Sequence, residues 1–344
     1  MSLEVYDAEL LDVAIAAATG IQREVSPNPG VGAAVRTLDG RVFTGHTQPP
    51  PGAHGEVVAM AAAASAGASL VGATLATTLE PCNHQGRTGP CTEALLQAKI
   101  KRVIVGLGDP DPLVAGTGNS RLRAGGVDVV LVDPSSVPSQ TIESQLRFYL
   151  HHRRTGRPFV TLKLASSMDG RTAAPDRSSQ WITGSEARTD GHRLRALHDA
   201  IVVGAGTVRS DNPALTVRHV DGPDPVRVVL GRAPTQAKVH PCLETGGDLD
   251  EVLCKLGANG ITSILVEGGA TVANAFHMGG LVNEYVLYLA PVFFGGSDAM
   301  GLFQGKGVGS IDQLWRGAIQ SIERLGADVR LTVVANTEGE PLAR

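Results

Sequence analysis

Three residues of metal-ligand type, His54, Cys82 and Cys91, constrain this chain most, because a fold must bring such distant positions to one point. His54 precedes Glu56 by two residues where an Ala-rich helical run begins, which turns both side chains towards one opening. Cys82 follows Pro81 at the end of an apolar strand, Leu75 to Leu79, and Cys91 opens the next helix. One imidazole and two thiolates suit Zn²⁺ and leave its fourth position for water, the mark of a catalytic centre rather than a structural one.

The surrounding pattern predicts an α/β layered domain. Helical spacing runs over Asp7 to Ile21, and Ser26-Pro27-Asn28-Pro29-Gly30 makes a turn. Val31 to Val35 and Arg41 to Thr44 read as a hairpin about Asp39-Gly40. A helix over Glu56 to Ala66, a buried strand over Ala73 to Thr78, a helix opening at Cys91 and a strand over Arg102 to Gly108 follow. Near residues 150–158 a polar, basic stretch ending in turn residues separates two apolar patterns, so the expected domains are 1–150 and 151–344. The pattern then restarts with strands at Phe159–Ala165, Ala200–Val203, Val226–Leu230, Ser263–Val266, Glu284–Ala290 and Val329–Val334. Helices are expected at Ser185–Ala196 and Val272–Met278.

Zinc lowers the pKa of a bound water towards about 7, which makes hydrolysis at neutral pH accessible. His-x-Glu followed by Pro-Cys is the order found in zinc-dependent nucleobase deaminases, where the Glu moves protons and does not bind metal. Here the interval between the cysteines is stretched to eight residues, Asn83-His84-Gln85-Gly86-Arg87-Thr88-Gly89-Pro90. A deaminase of small bases needs no such loop, and its His, Arg and Thr suit a phosphate, with Arg87 supplying charge.

Pro27-Asn28-Pro29-Gly30-Val31-Gly32, His54-Gly55-Glu56, Thr78-Leu79-Glu80-Pro81-Cys82-Asn83-His84-Gln85-Gly86-Arg87-Thr88 and Asp109-Pro110-Asp111-Pro112 stand in a characteristic order. In this the chain resembles the bifunctional riboflavin-biosynthesis deaminase–reductases, and the resemblance extends over nearly its whole length. It implies an N-terminal cytidine-deaminase-like three-layer α/β/α domain and a C-terminal dihydrofolate-reductase-like α/β domain. It also implies a diaminopyrimidinone ribosylamine 5′-phosphate as first substrate, with Asn28, His84 and Arg87 contacting base or ribose phosphate. Two positions depart from the family, which usually has Ala at Gly55 and Asn at Asp111; a carboxylate at 111 would oppose an anionic substrate if it faced it.

The second half is similar to the family's reductase through Leu162 to Thr172, Gln180-Trp181-Ile182-Thr183, Leu194-Arg195-Ala196, Val203 to Val208, Asp211 to Arg218 and Val266 to Thr271. Gly204-Ala205-Gly206 lacks the third glycine of the dinucleotide fingerprint, so a Rossmann domain is not expected. Gly268-Gly269-Ala270-Thr271 lies between a strand and a helix, where bare backbone N–H groups can meet a pyrophosphate. Resemblance implies reductase substrate contacts at Ser179, Arg195, Leu215, Arg218 and Glu267. It implies NADPH contacts at Ser166, Trp181, Thr207, Asp211 and the turn Gly268, Gly269, Ala270, Thr271. Hydride transfer needs alignment above all, and no general acid stands out. Between Leu230 and Glu251 the chain is short for this half: a strand is expected to be missing around His240 to Asp250, leaving 245–248 as linker.

Composition narrows the partners. Formal charge is −4, aromatic residues make up 4%, and no block of Lys or Arg occurs, which argues against nucleic acid. Neither a signal peptide nor a membrane span is expected, and four cysteines suit a reducing cytoplasm. Small two-domain metabolic enzymes are commonly dimers or tetramers, so a homo-oligomer is expected. Two other readings stay open: a deaminase of another base or nucleotide with a degenerate C-terminal domain, and a structural-zinc binding or assembly protein.

Overall fold

Alternation along three strands explains how one sheet carries helices on both faces. The computed structural model describes residues 4–85, 89–111 and 114–335, and the chain divides into units Met1–Gly156 and Arg157–Arg344. In the first unit α1 (Val5–Ala17) and α2 (Gln22–Val25) precede the hairpin β1 (Gly32–Arg36) and β2 (Val42–His46). Next come α3 (Gly55–Ser65), β3 (Thr74–Leu79), α4 (Cys91–Gln97), β4 (Arg102–Leu107), α5 (Thr117–Ala124), β5 (Asp128–Leu131) and α6 (Val137–Thr155). The sheet order is β2-β1-β3-β4-β5, antiparallel as far as β3 and parallel from β3 to β5.

Ala33, Val35, Leu75, Val103 and Val105 meet Ala59, Leu95 and Leu122 of α3, α4 and α5. Their neighbours Ala34, Ala76 and Ile104 point the other way, onto Leu10, Leu11, Ile142 and Leu146 of α1 and α6. The result is a three-layer α/β/α sandwich. The helix expected over Asp7 to Ile21 is broken, because Gly20 takes a left-handed φ of 83° and α2 restarts beyond it.

The expected boundary at 150/151 falls inside α6, which runs on to Thr155 and closes on Gly156 at φ 72°. His152, Arg153 and Arg154 lie in its last turn, where cations complement the helix dipole, so the basic stretch is helix and not linker.

The second unit contains β6 (Phe159–Ser167), β7 (Arg171–Ala173), α7 (Ser185–Leu197), β8 (Ala200–Gly204), α8 (Ala205–Asp211), β9 (Val226–Leu230) and β10 (Leu243–Thr245). It continues with α9 (Leu249–Ala258), β11 (Ser263–Val266), α10 (Ala270–Met278), β12 (Glu284–Ala290), β13 (Met300–Gly301), β14 (Gly317–Leu325) and β15 (Asp328–Ala335). Its eight-stranded sheet has the order β10-β9-β8-β11-β6-β12-β15-β14. Strands from β10 to β12 are parallel, and the last two are antiparallel. Val202, Val228 and Ile264 pack on Leu253 of α9 and Phe276 of α10; Ile201, Val203 and Val229 pack on Leu194 of α7 and Val208 of α8. Among the described residues no helix is long and apolar enough to cross a membrane.

The strand expected to be missing is present. Leu243, Glu244 and Thr245 form β10, in parallel register with Val228, Val229 and Leu230. Gly231 N–H donates to the Thr245 carbonyl at 2.7 Å, and Asp248, expected in the linker, accepts from the N–H groups of Asp250 and Glu251 as the N-cap of α9.

Candidate functional site

The first site grows from three element ends. His54 is the N-cap residue of α3, with Glu56 in its first turn; Cys82 lies just past β3, and Cys91 is the first residue of α4. His54 Nδ1 stands 3.5 Å from Cys82 Sγ and 3.3 Å from Cys91 Sγ, and all three donor atoms lie within 4.8 Å of one another. Donors of a tetrahedral zinc centre with bonds of ~2.0–2.3 Å are roughly 3.3–3.8 Å apart, so the residues fit the ion. The Cys91 N–H donates to Cys82 Sγ at 3.4 Å.

The thiol hydrogen bond from Cys91 holds Cys82 down to about 4, with His54 adding to the effect. The same bond, with burial, pushes the Cys91 thiol up. Glu56 is 3% exposed, and burial raises its pKa. Its Oε2 accepts from Cys91 Sγ at 3.6 Å, at the edge of the ligand cluster.

His54, Glu56 and Cys82 open on a cavity of about 380 Å³ whose wall includes Asn28, Thr47, Glu80, His84, Asp111 and Arg153. Asn28 is carried by the loop before β1, which Thr47 Oγ1 and Thr78 Oγ1 hold by accepting from Val31 and Gly32 N–H at 3.0 and 3.1 Å. Gly55 lets the helix start close against the loop: a Cβ on it would lie 2.7 Å from the Val31 carbonyl oxygen, so an alanine needs that backbone to shift. Of the three expected substrate contacts, Asn28 and His84 line the cavity; Arg87 lies outside the described residues.

Sequence reasoning missed several wall residues. Glu80 accepts from Gly116 and Asn119 N–H, each at 3.0 Å, which ties the end of β3 to the start of α5. Tyr149 donates to Asp109 Oδ2 at 3.0 Å. Arg153 packs its guanidinium over the Tyr149 ring at 5.2 Å and sets its Nε 3.6 Å from Asp111 Oδ2. The departure at 111 therefore does face the cavity, beside a cation. Asp109 and Asp111 stood in the quoted motif, but Tyr149 and Arg153 come from the far end of the unit and share no local pattern with it.

The second site lies where the C-terminal ends of β6, β8, β9 and β11 meet, as expected of a mainly parallel sheet. A cavity of about 870 Å³ is lined there by Ser179, Thr207, Asp211, Glu267 and the turn Gly268, Gly269, Ala270, Thr271. A Cβ on Gly268 would sit 2.6 Å from Val272 Cβ, so only glycine lets the backbone turn into α10 at this place. The other expected contacts do not line the cavity. Arg195 stands directly behind it, donating to both Glu267 oxygens at 2.7 and 2.9 Å. Arg218 donates to Thr216 Oγ1 at 2.6 Å, Leu215 is buried with φ 54°, Ser166 is buried, and Trp181 is 69% exposed under the Arg188 guanidinium. Burial pushes Glu267 up, but Arg195 and Lys163 outweigh it and hold the carboxyl down to about 2. Lys163, Arg177, Arg209 and Arg232 also line the cavity and were not anticipated.

Comparison with known proteins covers both sites. A family profile described as the cytidine and deoxycytidylate deaminase zinc-binding region matches residues 5–107, and one described as the RibD C-terminal domain matches residues 158–331. The riboflavin biosynthesis protein RibD of Mycobacterium tuberculosis is 40% identical over 339 residues, covering 95% of this chain and 97% of its own. A crystal form of Acinetobacter baumannii RibD superposes with TM-score 0.88 at 33% identity, covering 96% of this chain and 99% of the other. The diaminohydroxyphosphoribosylaminopyrimidine deaminase/5-amino-6-(5-phosphoribosylamino)uracil reductase of Thermotoga maritima gives TM-score 0.85 at 30% identity, with coverage of 96% and 99%.

Proposed function

The chain belongs to the RibD family of riboflavin biosynthesis proteins, and from that premise we propose how its residues divide the two reactions. The protein is a bifunctional riboflavin-pathway enzyme, a zinc-dependent deaminase and an NADPH-dependent reductase. It hydrolytically deaminates 2,5-diamino-6-ribosylamino-4(3H)-pyrimidinone 5′-phosphate and then reduces the ribosyl side chain to ribityl. Its fold joins a cytidine-deaminase-like layer sandwich to a dihydrofolate-reductase-like α/β domain.

The unit ending at Gly156 carries the deamination and the unit from Arg157 the reduction, as the two profile matches support. His54, Cys82 and Cys91 hold zinc, which when bound supplies a water acidic enough to react near neutral pH. Glu56 would take one proton from the attacking water and pass it to a ring nitrogen, then take the second from the hydroxyl left on the ring carbon and deliver it to the departing amine, so that one water is consumed, the carbonyl forms and ammonia leaves. Asn28, His84 and Arg87 hold the base and ribose phosphate. The observation that carries this half is the convergence of the three ligands with a buried carboxylate at one cavity.

In the second unit NADPH, when bound, supplies the hydride for the sugar carbon. Gly268, Gly269, Ala270 and Thr271 offer the N-terminus of α10 to its pyrophosphate, with Ser166, Trp181, Thr207 and Asp211 as further contacts. Ser179, Arg195, Leu215, Arg218 and Glu267 orient the phosphorylated substrate. The Glu267–Arg195 pair keeps a charged, fixed wall at the point where sugar and nicotinamide must align.

Its partners are small phosphorylated pyrimidines rather than nucleic acid, as a net charge of −4 supports. We take it to be a cytoplasmic homodimer or homotetramer; the exposed Ile319 and Ile322 on the edge strand β14 support self-association, and sedimentation velocity tests it. The decisive experiment gives the purified chain the phosphorylated diaminopyrimidinone and follows ammonia release, then NADPH oxidation. Ammonia without oxidation would remove the reductase half, and neither signal would remove the assignment.

A further inference from the structure

A second group of metal-ligand side chains lies at the outer edge of the large sheet, by strand β10. His240, Cys242 and Glu244 each offer one donor atom, and these atoms lie within 4.8 Å of one another. His240 Nε2 is 3.0 Å from the Pro234 carbonyl oxygen, which can only accept. That nitrogen therefore carries the ring proton, and Nδ1 is the acceptor, taking the Cys242 thiol hydrogen bond at 3.5 Å through the lone pair it would offer a metal. Glu244 Oε1 accepts from Ala233 N–H at 2.9 Å, which fixes the carboxylate and leaves Oε2 available.

This is the outer-shell arrangement that steers metal ligands: an imidazole donating its other N–H to a backbone carbonyl, and a carboxylate oriented by an N–H donor. Glu244 lies in β10, Cys242 immediately precedes the strand, and His240 reaches the same point from the turn before it. One nitrogen, one sulfur and one carboxylate oxygen match a borderline divalent ion such as Zn²⁺; Mg²⁺ and Ca²⁺ take oxygen donors.

We propose that His240, Cys242 and Glu244 form a second zinc-class site, its fourth position left to water, that ties the β9–β10 loop to the edge strand. The loop it ties includes Gly231 and Arg232, which line the larger cavity, so the ion secures one wall of that cavity without touching the reacting atoms. The site does not depend on the role given to His54, Cys82 and Cys91.

The test is zinc content of the full-length protein after dialysis at micromolar free zinc, read beside cobalt-substituted absorption spectra. Native protein should hold two equivalents, and Cys242→Ser should lose one, together with the part of the cobalt–thiolate charge-transfer band due to a single sulfur, while ammonia release is unchanged. Glu244→Gln, which keeps the Ala233 hydrogen bond, should weaken the same equivalent several-fold in a zinc competition titration. If the catalytic ligands fail instead, native protein holds one equivalent and Cys242→Ser abolishes it. Equal metal content and equal cobalt spectra in native protein and Cys242→Ser would overturn the proposal, and so would unaltered zinc affinity in Glu244→Gln.

Discussion

Arg153 and Asp111 invite a sharp test, because this chain places a carboxylate in a cavity meant for a phosphorylated substrate. The two charges are 3.6 Å apart, with side-chain exposures of 34% and 17%. Coulomb attraction at an effective dielectric of ~20 is about 4–5 kcal/mol at this distance; solvent access and side-chain entropy cut such pairs to about 1–2 kcal/mol. Arg153→Gln removes a cation that compensates Asp111 at the cavity wall. The expected loss is about 1.4 kcal/mol in substrate binding, or roughly tenfold in KM. The turnover number should change little, since neither group touches Glu56 or the ligand cluster. Asp111→Asn in the same chain removes the repulsion, so the double variant should return to within roughly threefold of native KM. The assay is ammonia release against substrate concentration at two salt levels, and the effect of the single variant should shrink at high salt. An equal rise in KM for Arg153→Gln and the double variant would refute the reasoning, because the arginine would then bind substrate directly.

Other perturbations give equally definite expectations. Glu56→Gln should keep zinc, by metal analysis, while ammonia release falls by about 10³-fold, within the range of general acid–base catalysis. Gly55→Ala should destabilise the first unit by about 1 kcal/mol in urea unfolding despite alanine's better helix propensity, since its Cβ would meet the Val31 carbonyl at 2.7 Å. Glu267 sits at about 2 against an ordinary 4.5, so the stabilisation from its ion pair is full above pH ~4.5 and is lost as pH falls towards 2. Glu267→Gln should therefore cost about 3 kcal/mol at pH 7, and the gap to native protein should close near pH 2–3; a constant gap across that range would refute the electrostatic account.

How much of this was legible in the sequence depends on where each signal resides. His54, Cys82 and Cys91 were readable as a group because each stands at or just past a strand end or at a helix start, places that local patterns mark well. Glu80, Tyr149 and Arg153 were not, since their partners are Gly116, Asn119, Asp109 and Asp111, and only tertiary packing brings those together. Strand β10 escaped because three residues beside Pro241 and Gly246 show no period, yet an edge strand needs only one neighbour. Strand β14 escaped for another reason: its side chains are mostly exposed, so no apolar alternation betrays it. The basic residues at 151–154 resembled a linker because polarity alone does not separate a loop from the last turn of a helix. At Gly268–Thr271 the glycines announced a ligand-facing turn, but nothing local announced the Arg195–Glu267 pair behind it.

The segment between Cys82 and Cys91 has its ends clamped to each other. Cys91 N–H reaches the Cys82 sulfur, and Thr92 N–H donates to the Cys82 carbonyl at 3.2 Å. Glu80 anchors the strand behind them to α5. Asn83, the first residue inside, is tied to the same frame by accepting from Thr92 Oγ1 at 2.9 Å, so the frame at the two cysteines is held by contacts at the segment's ends. Selection for a new base or a new anionic tail can act on the positions between those ends without rebuilding the hydrolytic centre.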